Sequence, residues 1–234
     1  MGRAAVIVNE EEQRKVIVFH PKMCPVCVIL DPELTVGLPP GLTAATGMDA
    51  LSHNLEAFCS PRFHPMAAGI AVEGIRLIKE HLPAAVADGA NLEARAQLLA
   101  ASTMGATAFQ RGLGAMHALS HPLGALYDAH HGTLNAVLMP YVLQANRAAV
   151  TAPLTRLARY LGLAPGFQPF LDWILELRAA IGTPRTLAEI GIDAARMEQL
   201  GAMAAADPSA ATNPVPFDAA AYAAIGRSAV AGTL

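Results

Sequence analysis

The sequence predicts a mainly α protein in which a few β-strands precede a helical domain. Three observations carry that expectation. Beyond residue 40, apolar residues recur at helical spacing between Pro and Gly breaks. Runs rich in Val, Ile and Phe are confined to the stretch before residue 31. A hydrophobic fraction of 53% against 15% charged residues, in a chain of 234, suits a protein that buries a sizeable core.

Taken in order, residues 4–8, 16–19 and 26–30 read as short strands, with the polar Asn9-Glu10-Glu11-Glu12-Gln13 joining the first two as a hairpin. A hairpin plus one strand is only marginally stable in water, so these strands read as the edge of something larger. Asp31-Pro32 and Leu38-Pro39-Pro40-Gly41 then break the chain. Thr43 or Thr46 caps a helix carrying Asp49, Leu51, His53, Leu55 and Phe58, which stops near Ser60-Pro61 because the residue before a proline disfavours helix. Residues 66–82 keep a helical period up to Pro83, and 93–109 are Ala- and Leu-rich with high helix propensity. A short helix starts at Ala115, and Pro122 should end or kink it. Residues 133–149, 153–161, 169–181, 193–205 and 217–229 complete the helical series.

Composition narrows the partners. The formal net charge is −3 with no Lys/Arg run, so no nucleic-acid or anionic-membrane partner is expected and a small organic ligand is. No uninterrupted apolar run is long enough to span a bilayer and no signal-type core opens the chain, which reads as cytoplasmic. Three cysteines do not make a disulfide framework. Cys24-Pro25-Val26-Cys27 has C-x-x-C spacing but leads into a strand instead of a helix N-terminus, so both thiols are expected to pack as buried apolar groups.

Two stretches carry chemistry. Asp49 and His53 lie four residues apart, so one helix face presents a carboxylate and an imidazole together. Such a pair alone is more often a surface hydrogen bond than a metal site. Divalent Fe or Zn, however, is well served by imidazoles plus one carboxylate, and four of the eight histidines fall between residues 117 and 131. His117 and His121 are again i and i+4, and His130 and His131 follow side by side. Pro122 frees the ring of His121 from the direction of His117, and Gly132 lets the backbone after His131 turn tightly toward a site. Two of the four complete a set with Asp49 and His53; spacing leaves open which two.

Two blocks resemble the iron-containing (group III) alcohol dehydrogenases. The first runs from Ile29-Leu30-Asp31-Pro32-Glu33-Leu34-Thr35 through Leu38-Pro39-Pro40 to Thr43-Ala44-Ala45-Thr46-Gly47-Met48-Asp49-Ala50-Leu51-Ser52-His53 and Glu56-Ala57. The second is Gly112-Leu113-Gly114-Ala115-Met116-His117-Ala118-Leu119-Ser120-His121-Pro122-Leu123-Gly124-Ala125, continuing to His130-His131-Gly132. The resemblance implies that Asp49, His53, His117 and His131 hold the metal, Fe2+ or Zn2+. It puts His121 beside the nicotinamide of NAD or NADP and the substrate, as a catalytic and cofactor-binding residue, and Leu38 on the adenine side of the cofactor cleft. Phe109 resembles an aromatic that walls the substrate pocket, and Asp207 to Pro214 a late loop near it, with Val215 where many members have Arg. The implied reaction is hydride transfer between a small primary or secondary alcohol, or the corresponding aldehyde or ketone, and NAD(P).

On this resemblance, residues 1–40 are the remaining strands of an α/β nucleotide-binding domain and 41–234 an all-helical metal-binding catalytic domain. No Gly-rich stretch after a strand could cradle a pyrophosphate; Gly112-x-Gly114 follows a helix and belongs to the metal block. The alternative is therefore a helical metal-binding module with no dehydrogenase activity of its own. A nucleotide-binding half on another chain, or a homo-oligomer formed through the strand edge, are the partners expected. A metal hydrolase would need an acid/base carboxylate besides Glu56, which is expected to pack or cap locally.

Overall fold

The computed structural model describes residues 4–9 and 14–234; the predicted connection lies outside them from Glu10 to Gln13. Strands β1 (Ala4–Asn9) and β2 (Arg14–Phe19) pair antiparallel, with Ala4 opposite Phe19 and Asn9 opposite Arg14. The third predicted strand does not form. Residues 26–30 run without a strand partner, and Val26 and Ile29 are 106% and 85% exposed. Extended backbone becomes sheet only where a neighbour satisfies its N–H and C=O groups. Cys24 and Cys27, expected to be buried, are exposed on the same segment.

The regular secondary structure after residue 39 is all helical, as the sequence predicts. The helices are α1 (Pro40–Cys59), α2 (Pro65–Ala87), α3 (Leu92–Ala108), α4 (Ala115–Tyr127), α5 (His131–Ala145), α6 (Arg147–Tyr160), α7 (Phe167–Ala180), α8 (Met197–Ala205) and α9 (Ala219–Ala231). Helix α1 starts earlier than the threonine caps suggest. Pro40 occupies its first turn, where a fixed φ and a missing N–H cost nothing, while Thr46 turns its hydroxyl back to the Leu42 carbonyl (2.8 Å). It ends at Cys59, before Ser60-Pro61, as expected.

Two prolines expected to end or kink their helices do not stop them. Helix α2 continues through Pro83 and α4 through Pro122. A proline inside a helix costs about 3 kcal/mol, but buried apolar side chains flank each one: Leu82 and Ala85 in α2, Leu119 and Leu123 in α4. Their burial keeps both helices in place, so His121 is helical. Conversely, the helix predicted over 133–149 divides at Asn146, whose side chain is drawn into bonds with Asn213.

Helix α5 is the spine. Every residue from Leu134 to Leu143 is buried, which explains an apolar run with no amphipathic face. Helix α1 packs on α2, α3 and α5, while α4 packs on α5 and α8, and α8 on α9. The Asp49 and His53 face of α1, the His117 face of α4 and the first turn of α5 therefore meet. No described helix is long and apolar enough to cross a membrane.

Candidate metal centre

The packing of α1, α4 and α5 gathers four candidate ligands. Asp49 and His53 extend from one face of α1, with His53 Nε2 4.0 Å from Asp49 Oδ2. His117 comes from α4, its Nε2 4.0 Å from Asp49 Oδ1, and His131 opens α5 with its Nε2 3.5 Å from the same oxygen. The His53 and His117 rings stack at 4.8 Å, and those of His117 and His131 lie 5.3 Å apart. The ligand atoms of Asp49, His53 and His117 all fall within 4.8 Å of one another. One divalent ion with bonds of about 2.0–2.2 Å can bridge donors at such separations, and one carboxylate with imidazoles is an Fe or Zn donor set instead of the all-oxygen set of Mg or Ca.

Hydrogen bonds turn the ring nitrogens the right way. Asn135, four residues after His131 on α5, donates its amide to Asp49 Oδ1 (2.7 Å) and lies 3.1 Å from His131 Nε2 and 3.4 Å from His117 Nε2. Of the two protons on that amide nitrogen one goes to Asp49 and the other to the nearer ring, so His131 Nε2 presents a lone pair to the centre. His117 Nδ1–H in turn donates to Glu56 Oε2 at 2.7 Å.

Electrostatics favour the ligating forms. Burial pushes His53 and His117 down to about 4 against the attraction of Asp49, so both imidazoles are neutral at pH 7. Burial alone would raise Asp49, but His53, His117, His131 and the Asn135 hydrogen bond hold it below the usual carboxylate range. Burial also drives Glu56 up to about 7 in spite of two backbone N–H bonds.

The pH dependence of the metal-free protein follows. An unfolded histidine takes its proton near 6.5, whereas folded His53 and His117 take theirs only near 4. The unfolded state therefore binds more protons between these values, and stability is lost as pH falls from about 6.5 to 4. Glu56, raised from 4.5, opposes this, one group against two. Thermal melts of chelator-treated protein should show a lower Tm at pH 5 than at pH 7.5; an unchanged or higher Tm contradicts the neutral assignment.

His121 sits beside the four. Its ring stacks on His131 at 5.5 Å and lies 5.8 Å from that of His117. Its Nδ1 bonds Asp207 Oδ2 at 2.8 Å, on the late loop, while Asp207 Oδ1 accepts from Ser209 N. Phe109 lies 5.3 Å from the His53 ring. His130 points elsewhere and caps α5, its Nδ1 accepting from Thr133 N. Leu38 is apart from all of these. It lines a cleft of about 250 Å³ with Thr35, Thr43, Gly47 and Arg95, and no histidine borders that cleft.

Three residues around the centre escape reading by spacing alone. Asn135 had a usable signal, since it lies at i+4 from His131. Glu56 and Asp207 had none that identifies their partners, which lie 61 and 86 residues away. Contrary to the expectation from the sequence that it packs or caps locally, Glu56 reaches across to the start of α4 and accepts from Gly114 N and Met116 N.

Residues 43–230 match the model of the Fe-containing alcohol dehydrogenase family, C-terminal. A 4-hydroxybutyrate dehydrogenase of Cupriavidus necator is 40% identical over 95% of this chain and 60% of its own length. A 1,3-propanediol dehydrogenase of Klebsiella pneumoniae is 37% identical over 97% of this chain and 61% of its own. The crystal structure of a 1,3-propanediol oxidoreductase superposes with a TM-score of 0.93 at 36% identity, over 97% of this chain and 62% of that one. A sulfoacetaldehyde reductase from Bifidobacterium kashiwanohense in complex with NAD+ superposes with a TM-score of 0.87 at 27% identity, over 97% and 60%. The chain thus spans about 60% of the length of these relatives.

Proposed function

Because the chain belongs to the iron-containing alcohol dehydrogenase family, we propose that it provides the metal-binding catalytic half of an NAD(P)-dependent dehydrogenase for small alcohols and their aldehydes or ketones. The observation that carries this reading is the convergence of Asp49, His53, His117 and His131, with Nε2 lone pairs of His117 and His131 aimed at one point. These four residues hold Fe2+ or Zn2+. When bound, the ion supplies a Lewis acid that lowers the pKa of the alcohol hydroxyl, and the nicotinamide accepts the hydride.

The chain's own residues handle the proton. Asp207 accepts the Nδ1–H of His121, which leaves the lone pair on Nε2 of a ring that lies beside His117 and His131. His121 takes the proton leaving the alcohol, or returns it when an aldehyde is reduced, and Asp207 steadies the imidazolium. The carboxylate suits that role. Burial opposes its ionisation, yet the bond and charge of His121 and the Ser209 N–H hold it below the usual carboxylate range. Asp207→Asn should lower kcat/KM by about 10²-fold or more while metal content is unchanged. Equal loss of metal and rate would move Asp207 into structural support.

Residues 1–40 form the edge of a nucleotide-binding unit, and 41–234 the catalytic domain. Phe19, Val26, Ile29 and Leu34 are 64–106% exposed in one stretch, an apolar surface of the kind another element covers. Leu38 follows directly, on the adenine side of the cofactor. NAD is carried over from the sulfoacetaldehyde reductase complex, and 4-hydroxybutyrate and 1,3-propanediol from the names of the relatives as trial substrates. The test is to load the protein with Fe2+ or Zn2+, titrate NADH and NADPH by fluorescence, and then follow their formation with the two alcohols. Saturable binding and turnover are expected. Metal uptake without cofactor binding at millimolar concentration would leave a helical metal-binding module with no dehydrogenase activity of its own.

A further inference from the structure

We infer that Glu56 is the positioning residue of this centre: one buried carboxylate sets the tautomer of His117 and locks the helix that carries His117 to the helix that carries Asp49 and His53. The inference rests on the metal reading above. Glu56 is 5% exposed, on α1 one turn beyond His53, and takes no part in the proposed proton path.

The carboxylate accepts three hydrogen bonds, all from the first turn of α4. Gly114 N–H reaches Oε2 at 2.8 Å, Met116 N–H reaches Oε1 at 2.7 Å, and His117 Nδ1–H reaches Oε2 at 2.7 Å. Its donors lie 58 to 61 residues along the chain, so this is a tertiary clamp. Helix α4 has no side-chain cap of its own, because Gly114 stands at its N-cap. Ala115 N–H completes the set by donating to Asn213 Oδ1 at 3.0 Å. A Cβ at residue 114 would lie 2.9 Å from Asn213 Oδ1 and 3.0 Å from Glu56 Oε1, so both side chains would have to shift. Gly114 thus leaves room for the clamp.

Its chemical consequence falls on His117. Ionised Glu56 only accepts, so in that form the single proton of the neutral imidazole stays on Nδ1 and the Nε2 lone pair is kept for the centre. A carboxylate on the far nitrogen also raises the basicity of the ligating one. His131 Nδ1, by contrast, lies 3.4 Å from the neutral Ser120 hydroxyl. In Glu56→Gln one oxygen becomes an NH2 group, which must face either the Met116 N–H or the pair of donors at Oε2. The mutant therefore loses a backbone bond, the firm hold on Nδ1–H, or both.

The experiment uses the full chain and Zn2+ or Co2+ alone. Affinity is measured by chelator competition, and the His117 tautomer of the metal-free protein by long-range 1H–15N correlation. Wild-type protein should show His117 protonated on Nδ1. Glu56→Gln should bind metal about 10–100-fold more weakly, with an altered Co2+ absorption spectrum and a shifted tautomer population, and Glu56→Asp should recover part of the affinity. Wild-type affinity together with an unmoved tautomer in Glu56→Gln overturns the inference. So does an Nε2–H His117 in the wild type, a result that stands even if the variant fails to fold. Failure of the wild type to bind either metal would instead sink the metal reading, and the two failures are thereby told apart.

Discussion

His117→Ala should leave the protein unable to retain Fe2+ or Zn2+ through gel filtration, while His121→Ala retains wild-type metal content. The two histidines lie one turn apart on α4, both buried and both ringed by other histidines, so composition and burial do not separate them. Hydrogen bonding does. His117 Nδ1–H is anchored on Glu56 and its Nε2 faces Asp49 at 4.0 Å, whereas His121 is turned by Asp207 toward the neighbouring position. Removing the His117 ring takes away one of four donors and leaves Glu56 buried with one fewer partner, a loss of at least about 10²-fold in affinity by comparison with supporting residues alone. His121→Ala should instead depress turnover by about 10²-fold or more at full metal occupancy. Metal analysis by atomic emission decides the matter. Full occupancy in His117→Ala, or none in His121→Ala, would reverse the assignment.

Gly132→Ala should cost about 2–3 kcal/mol of stability, roughly 4–12 °C in Tm for a chain of this size, and weaken metal binding with it. The sequence reading gives Gly132 a tight turn, but it lies in the first turn of α5 without a positive φ. Its smallness serves helix contact. A Cβ there would sit 2.4 Å from the Ala45 carbonyl oxygen, 2.9 Å from the Ala45 carbonyl carbon and 3.4 Å from Asp49 Cβ. Backbone atoms cannot step aside as a flexible side chain can, so α5 must retreat from α1. That movement carries His131 away from Asp49, which accounts for the coupled loss of metal. Gly69→Ala supplies the control, since nothing lies within 4 Å of its Cβ position on α2. There the substitution should leave metal binding alone and stabilise by about 0.5–1 kcal/mol, as removal of a helix-interior glycine does. Equal Tm changes of the same sign in the two variants would refute the contact argument.

The division between local and long-range information runs through individual residues. Helical period and Pro/Gly punctuation predicted α1, α3 and the later helices, because the 3.6-residue repeat is a local property of the chain. The i, i+4 relation of Asp49 and His53 on one helix face was legible for the same reason. Local rules failed where burial outweighed them. Pro83 and Pro122 sit inside continuous helices held by Leu82, Leu119 and Leu123, and residues 26–30 have strand composition but no strand beside them.

A helical chain, a carboxylate and imidazole on one face of α1, and a short list of histidines from which partners could come are all legible in local sequence. Only the tertiary structure decided how these meet. Helix α5 is buried on every side between α1 and α4, and this brings His117 and His131 to Asp49 and sets Asn135 among them. Glu56 and Asp207 acquire their roles in the same way, through hydrogen bonds across 61 and 86 residues. The physical reason is that a helix's pattern fixes which side chains share its face, while the direction of that face is set by apolar packing among distant helices.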